Sequence, residues 1–154
     1  MKVVLALTLI SLPMVAQTGG TAHGFYAPTA LHNSRSTNAG HTLGGGYDHV
    51  FWRGVGVAGD VGWLWTGDRF SSGVGIGSLN SSYHFASRQK LDPFATAGYG
   101  FLFRSGTVNT ANFGGGVNWW LQEDWGLRLE VRDHTDFRSR AQHFISFRIG
   151  LSFR

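Results

Sequence analysis

Apolar and polar positions alternate through the final segment of the chain, residues 143–153. The positions between its apolar residues are serine, arginine or glycine, and the apolar residues are Ile145, Phe147, Ile149, Leu151 and Phe153. A period of two places every apolar side chain on one face of a β-strand. The segment therefore predicts a strand with one wholly apolar face, as in the wall of a transmembrane β-barrel or in a soluble β-sandwich.

Six earlier segments alternate in the same way and are separated by clusters of turn-forming residues. The predicted strands are 42–52, 55–65, 74–85, 91–103, 112–121 and 125–134. A tilted strand that spans a membrane needs about 9–11 residues, and most of these segments reach that length. In the third segment the phase of the apolar positions changes after Ile76, which predicts a β-bulge near Gly77.

The charged residues in the cores of these strands are predicted to lie on the face opposite the apolar one. They are Asp48, Asp60, Arg128, Glu130, Arg132 and Arg148. A lipid-facing arginine or lysine at mid-bilayer costs about 2–4 kcal/mol. The rest of the polar face is mostly glycine, whereas a water-facing sheet normally carries Lys, Glu and Thr. The pattern favours a closed barrel with a narrow lumen.

Short and longer connections between the predicted strands alternate along the chain. The short connections are 53–54, 87–90 and 122–124, and the longer ones are 66–73, 104–111 and 135–142. Outer-membrane barrels have short periplasmic turns and longer outer loops, so the last strand is predicted to end at the periplasm. An even number of strands then requires one before residue 42. The candidate is 23–31, followed by an outer loop at 32–40, although Pro28 cannot donate a ladder hydrogen bond.

Composition and charge limit the functional classes. The 154 residues are enough for one ordinary domain, and no cysteine is available for a disulfide framework or a thiolate metal site. The seven histidines are dispersed without the paired spacing of a zinc site. No metal or other cofactor is predicted. The net charge of +4 comes from arginines scattered singly, so no nucleic-acid partner is expected.

The first sixteen residues are typical of a secretory signal peptide. Lys2 precedes an apolar run at 3–12, and Pro13 ends that run before several small residues. Cleavage is predicted after Ala16, with Ala22 as the alternative. The run is shorter than the about 18 residues that a spanning helix requires. Residues 17–41 then form an N-terminal segment with the first strand and first outer loop, and 42–154 form the barrel domain.

Five stretches carry a resemblance to a known family. They are Gly-Gly-Gly-Tyr at 44–47, Pro-Phe-Ala-Thr-Ala-Gly at 93–98, Phe-Gly-Gly-Gly-Val at 113–117, and the segments 125–133 and 147–153. Together they resemble the small outer-membrane β-barrel domain family of the OmpA and OmpX type. The resemblance covers residue 42 to the C-terminus. It implies a closed, antiparallel, up-and-down barrel of eight strands in the outer membrane of a two-membrane bacterium. It also implies insertion by the outer-membrane assembly machinery, with Phe147, Ile149, Leu151 and Phe153 as its recognition signal.

The most specific group of polar residues is a set of inward-facing charges. Its members are Arg128, Glu130, Arg132, Arg148 and Asp60. A last hairpin that turns about Ser139 places Glu130 opposite Arg148. Arg132 then lies opposite Ser146. An uncompensated buried charge costs about 3–5 kcal/mol, so we predict a lumen ion network that plugs the barrel and ties neighbouring strands. A proton or substrate path through the lumen is the alternative.

Aromatic residues collect at the predicted strand ends. Those beside the short turns are Trp52, Trp119, Trp120 and Trp125, and those near the longer loops are Trp63, Trp65 and Phe103. This distribution is typical of the two interfacial girdles of a membrane barrel. A soluble aromatic core and a carbohydrate-stacking surface are the alternatives.

The sequence favours a non-enzymatic, monomeric outer-membrane barrel with a structural or surface-interaction role, whose partners are membrane lipids and lipopolysaccharide. One alternative is a lipid-modifying barrel enzyme: a serine hydrolase needs a serine beside a base and an orienting acid, and His134, Asp136 and Ser139 lie close in sequence. A soluble secreted β-sandwich or carbohydrate-binding module is the other. The glycines at 54–59 match the dinucleotide-binding fingerprint only as a string, because strand alternation continues where that motif opens a helix.

Overall fold

The computed structural model describes residues 19–32, 36–67, 69–87, 89–136 and 143–154. Its strands are β1 Gly19–His32, β2 Thr37–Trp52, β3 Val55–Thr66, β4 Val74–His84, β5 Leu91–Phe103, β6 Thr107–Trp120, β7 Trp125–Asp136 and β8 His143–Phe153. Each strand pairs antiparallel with its neighbours in sequence, and β1 also pairs with β8. The predicted closed, eight-stranded, up-and-down barrel is therefore confirmed. The predicted signal peptide and Ser139 lie outside the described residues.

The two ends of the barrel differ in their connections. At one end, here called the turn end, the strands join through 53–54, 85–90 and 121–124. The first of these turns has positive φ at Arg53 (45°) and Gly54 (87°), as a two-residue hairpin connection requires. The opposite end, here called the loop end, carries the connections 33–36, 67–73, 104–106 and 137–142. The predicted longer loop at 104–111 is wrong, because β6 begins at Thr107 and only three residues separate it from β5.

Side-chain alternation follows the predicted phases in β3, β5, β6, β7 and β8. The bulge predicted near Gly77 is wrong, because the ladders of β4 with β3 and β5 run without a register shift. Ile76 is instead 7% exposed and faces the lumen. The outward positions beside it are glycines, and the rings of Phe101 and Phe103 on β5 cover Gly77 and Gly75. Phe101 and Phe103 thus supply the apolar outer surface that β4 lacks at Gly75 and Gly77.

β1 is the strand that the alternation marked least clearly. It pairs with β2 over its whole length, from Gly19 to His32. The ladder between β1 and β8 has a gap between Tyr26 and Thr29. Pro28 lies in that gap, so the residue that cannot donate a ladder hydrogen bond falls where β1 and β8 are unpaired. The face that carries Phe25 is buried and points into the lumen.

Three strands extend farther toward the loop end than predicted. β2 begins at Thr37 and β6 at Thr107, while β7 continues to Asp136. Over these extensions and the neighbouring strand ends the inward side chains are largely apolar, with the polar Thr110 and Asp136 among them; the apolar ones are Leu31, Leu64, Ile76, Leu102, Val108 and Phe144. The outward side chains are largely polar: His32, Thr37, Thr107, Asn109, Asp133, Thr135 and His143. These two sets of residues define what we call the collar, in which the polarity of the rest of the barrel is reversed.

Candidate functional site: an ionic lumen inside an apolar belt

Below the collar, the outward face of the barrel is a continuous apolar surface, here called the belt. Its most exposed aliphatic side chains are Val61 and Leu79, at 66% and 67%. Further belt residues are Leu43, Val57, Tyr99, Phe113, Leu129, Val131, Phe147, Ile149, Leu151 and Phe153. A strand of 13 residues such as β5, tilted by about 35–45°, rises about 30 Å, close to the thickness of a bilayer core. The belt therefore has the height of a membrane.

The only outward acidic side chain on a described strand lies at the border of the belt, opposite Phe113 and Ile145. Asp133 lies on the same outward face of β7 as Leu129 and Val131. The predicted segregation of charges did not include this residue. Its Oδ2 lies 2.8 Å from Nδ1 of His143 on β8, and both residues belong to the collar. The segregation of charges thus holds within the belt and ends where the collar begins.

The predicted girdle residues lie at the two margins of the belt. Trp52 and Trp119 are exposed near the turn end, with Trp125 in the same region. Trp63, Trp65 and Phe103 lie toward the loop end. Trp120 does not belong to this surface: it is 5% exposed and faces inward, with the Arg154 guanidinium 4.2 Å from its ring centroid.

An aromatic cluster that the sequence did not predict extends the loop-end margin. The short 3-10 helix Phe70–Ser72 packs against β3, where the Phe70 and Trp65 rings meet edge to face at 4.9 Å. Trp63 Nε1 donates to the Phe70 carbonyl over 2.9 Å. On the other side of Trp65, His41 Nδ1 and Tyr26 Oη share a 2.6 Å hydrogen bond. The cluster joins β1, β2 and β3 on the outer wall.

Inside the belt, Asp60 is a meeting point for side chains from four strands. Its Oδ2 accepts from Arg132 Nη1 at 2.5 Å, and its Oδ1 accepts from Arg148 Nη1 at 3.3 Å. His23 Nε2 lies 2.9 Å from Oδ1, and Ser78 Oγ donates to Oδ2 over 3.0 Å. These contacts connect β1, β3, β4, β7 and β8 across the lumen.

Glu130 is the second carboxylate of this network. Its Oε2 lies 3.0 Å from Arg128 Nε, and its Oε1 lies 2.5 Å from Arg132 Nη2. Arg148 Nη1 is 3.6 Å from the same Oε1. The β7–β8 register places Glu130 opposite Arg148 and has the predicted offset. The five residues of the predicted lumen group therefore lie in one connected cluster.

Aromatic rings complete the surroundings of two of these arginines. The Arg148 guanidinium lies 4.2 Å from the centroid of the Phe25 ring, and that of Arg128 lies 4.0 Å from Phe94. Cations over aromatic faces are stabilised by the ring quadrupole. The inward phenylalanines thus act as partners of the charges.

A second polar cluster lies nearer the turn end and was not predicted as a unit. His84 Nδ1 is 2.7 Å from Asp92 Oδ2, and His84 Nε2 is 2.9 Å from Asp48 Oδ2. Ser82 donates to the other Asp48 oxygen over 2.8 Å, and the Phe94 ring stacks on the imidazole. The sequence predicts that Asp48 faces inward, but its partner His84 lies two strands away in the sheet. The inward phase of His84 and Asp92 was the available sequence signal.

The lumen charges have almost no contact with solvent. Arg128, Glu130 and Arg132 are 2%, 4% and 0% exposed. Groups that line a water-filled channel would be far more accessible, and an eight-stranded barrel is just wide enough to be filled by its side chains. This geometry can brace the wall, and it offers ions no open passage at this level.

The hydrolase alternative depends on His134, Asp136 and Ser139. His134 is 0% exposed inside the lumen, where it cannot meet a lipid in the surrounding bilayer. Its proposed partner, Ser139, lies outside the described residues. No group of three or more His, Cys, Asp or Glu side chains suited to a metal ion occurs among the residues described.

Fold, belt and ionic lumen together define the architecture of a small eight-stranded outer-membrane β-barrel. The chain is similar to Neisserial surface protein A, with 14% identity, 90% of this chain and 98% of that chain covered, and a TM-score of 0.68. It is similar to Ail, the attachment invasion locus protein of Yersinia pestis (12% identity, 89% and 99% covered, TM-score 0.63). The N-terminal β-barrel domain of Pseudomonas aeruginosa OprF gives 17% identity, 89% and 100% coverage, and a TM-score of 0.61. No protein-family model or curated sequence matches the chain.

Among the residues described, no helix has the length and apolar character needed to cross a bilayer.

Proposed function

We propose that this chain is a non-enzymatic integral protein of the outer membrane of a two-membrane bacterium, with a structural or surface-interaction role. The observation that carries the proposal is the belt. Monomers in water rarely expose contiguous apolar patches larger than about 300–600 Å², whereas here the apolar surface encircles the barrel. Hydrocarbon is the solvent that such a surface fits. The likeness to outer-membrane barrels supports the same placement.

In this proposal the lumen network is a structural plug. The arginines and carboxylates connect strands that are not neighbours in the sheet, so they oppose flattening of the barrel. An open channel would need hydrated charges, and these side chains are buried. The surface role then belongs to the loop end, where polar collar residues stand above the belt.

The partners in this proposal follow from the two margins of the barrel. Membrane lipids contact the belt, and lipopolysaccharide contacts the loop-end margin, where aromatic and polar side chains meet. The last strand, β8, carries Phe147, Ile149, Leu151 and Phe153 on its outward face. This apolar face suits recognition by the outer-membrane assembly machinery. The barrel closes on itself, so each chain forms a complete unit as a monomer.

Cell fractionation combined with heat-dependent gel mobility tests the proposal. We expect the protein in the outer-membrane fraction. In mild detergent its band should migrate as a compact form until the sample is boiled, because the closed barrel resists the detergent. A protein that stays in the aqueous phase without detergent would contradict the proposal and indicate a water-soluble secreted barrel. Loss of a lipid-modifying activity in both Ser139→Ala and His134→Ala variants would support the enzyme instead.

A further inference from the structure

The cluster at the turn end places one imidazole between two carboxylates. Both ring nitrogens of His84 are at hydrogen-bond distance from carboxylate oxygens, Asp92 at 2.7 Å and Asp48 at 2.9 Å. The three side chains are at most 5% exposed. His23, the other buried histidine that contacts a carboxylate, differs because its Nδ1 has no hydrogen-bond partner.

The hydrogen-bond inventory of these groups fixes where the protons must be. An ionised carboxylate only accepts hydrogen bonds, and a neutral imidazole has one donor and one acceptor nitrogen. A neutral His84 would therefore point a lone pair at one of the two carboxylates. With both nitrogens protonated, His84 donates to both.

We propose that His84 is an imidazolium that bridges Asp48 and Asp92. It forms a second ionic centre, which ties β2, β4 and β5 at the turn end and is linked to the Asp60–Glu130 network through Asn118. The bridge makes the stability of the barrel depend on pH at that end. This inference concerns the folded barrel itself and does not depend on the membrane in which it resides.

The charge count of the lumen agrees with this assignment. Below the collar, the described strands bury four carboxylates, at Asp48, Asp60, Asp92 and Glu130. They bury three guanidiniums, at Arg128, Arg132 and Arg148. One imidazolium brings the count to neutrality. Of the two buried histidines that contact these carboxylates, His23 and His84, only His84 has carboxylate oxygens at both ring nitrogens. Asp136, the remaining inward acid, lies in the collar.

The surroundings of His84 give its proton a way to exchange. A cavity of about 560 Å³ at the turn end is lined by His84 and Asp92 and by residues of the β6–β7 turn. The titratable groups that face His84 are Asp48 from β2 and Asp92 from β5, with Arg128 of β7 beyond them. The cavity adds Glu123, Asp124 and Arg154. Acidic groups outnumber basic ones around the ring, which favours its cationic form.

Nitrogen NMR of the imidazole rings in detergent micelles tests the protonation directly. The His84 signals are assigned from their loss in His84→Gln. We expect both ring nitrogens to carry a proton at neutral pH. A spectrum with one protonated and one bare nitrogen would overturn the proposal, because the proton would then reside on Asp48 or Asp92. This measurement uses the unaltered protein, so it decides the matter even if a variant fails to fold.

Unfolding by urea provides the second arm. His84→Gln leaves two carboxylates around a neutral amide, so its unfolding midpoint should fall well below that of the parent. Adding Asp92→Asn to His84→Gln removes the surplus negative charge and should recover much of the loss. An alkaline titration should lower the parent's midpoint as His84 loses its proton, and the double variant should lack this decrease. An unchanged midpoint in His84→Gln would overturn the proposal.

Discussion

The belt and the collar are built from the same eight strands and have opposite polarity. In the belt, Val131 of β7 faces outward and Arg132 faces inward. A few residues farther along, Asp133 and Thr135 face outward, beside an inward Phe144 on β8. The ladder continues across the change without a register shift. The solvent around the barrel, and not the strand geometry, therefore decides which face is polar. The reversal of polarity marks the boundary between hydrocarbon and water in the proposed membrane.

The largest expected effect comes from the ionic interior of the belt. Glu130→Ala leaves Arg128 without its carboxylate partner, while Arg132 and Arg148 keep only Asp60. An uncompensated buried charge should lower the free energy of unfolding by about 3–5 kcal/mol. Urea titration of the barrel refolded in detergent measures the change. Glu123→Ala, on the exposed turn between β6 and β7, is the control and should stay within about 0.5 kcal/mol of the parent. Equal stability of parent and Glu130→Ala would refute the bracing role of the network.

The next effect separates belt from collar by placing the same charge on both. Val61→Arg puts a guanidinium on the middle of the belt and should cost about 2–4 kcal/mol in lipid vesicles. Asn109→Arg puts it on the outward face of the collar, where the cost should be within about 0.5 kcal/mol. The free energy of unfolding from vesicles measures both. A comparable loss in the two variants would mean that the collar also lies in hydrocarbon.

The reversal of polarity explains which parts of the fold the sequence could predict. Within the belt, apolar-out alternation identified seven strands, and topology required the eighth. The interpretation missed 37–41 and 107–111 because those extensions alternate with the opposite sign, inward Val108 against outward Asn109. When apolar side chains are assumed to face outward toward lipid, a segment with apolar side chains facing inward is assigned as a loop. The false bulge near Gly77 has the same origin, since Ile76 belongs to the apolar interior of the collar.

In the candidate site, contacts between adjacent strands were easier to predict from the sequence than contacts across the lumen. Glu130 and Arg148 lie on adjacent strands, so their pairing followed from hairpin register alone. The contacts of His23 with Asp60 and of Asp48 with His84 join strands that are two apart in the sheet. Such contacts depend on the curvature and stagger of the closed barrel, and alternation along a strand carries neither quantity. Sequence reasoning could therefore place Asp60 in the lumen group from its inward phase, but it could not name the individual partners across the lumen.

The smallest expected effect tests whether the collar has a packed core of its own. Ile76→Val removes one methylene from a side chain that lies beside Leu102 on the neighbouring strand, and should lower the free energy of unfolding by about 0.5–1.5 kcal/mol. Thr107→Ser removes one methyl group from the exposed outer face of the same collar and should cost less than about 0.5 kcal/mol. Urea titration in detergents of different chain length measures both variants. Because the collar core excludes water by its own packing, the Ile76→Val loss should not depend on the detergent, and a loss that varied with chain length would assign Ile76 to the belt.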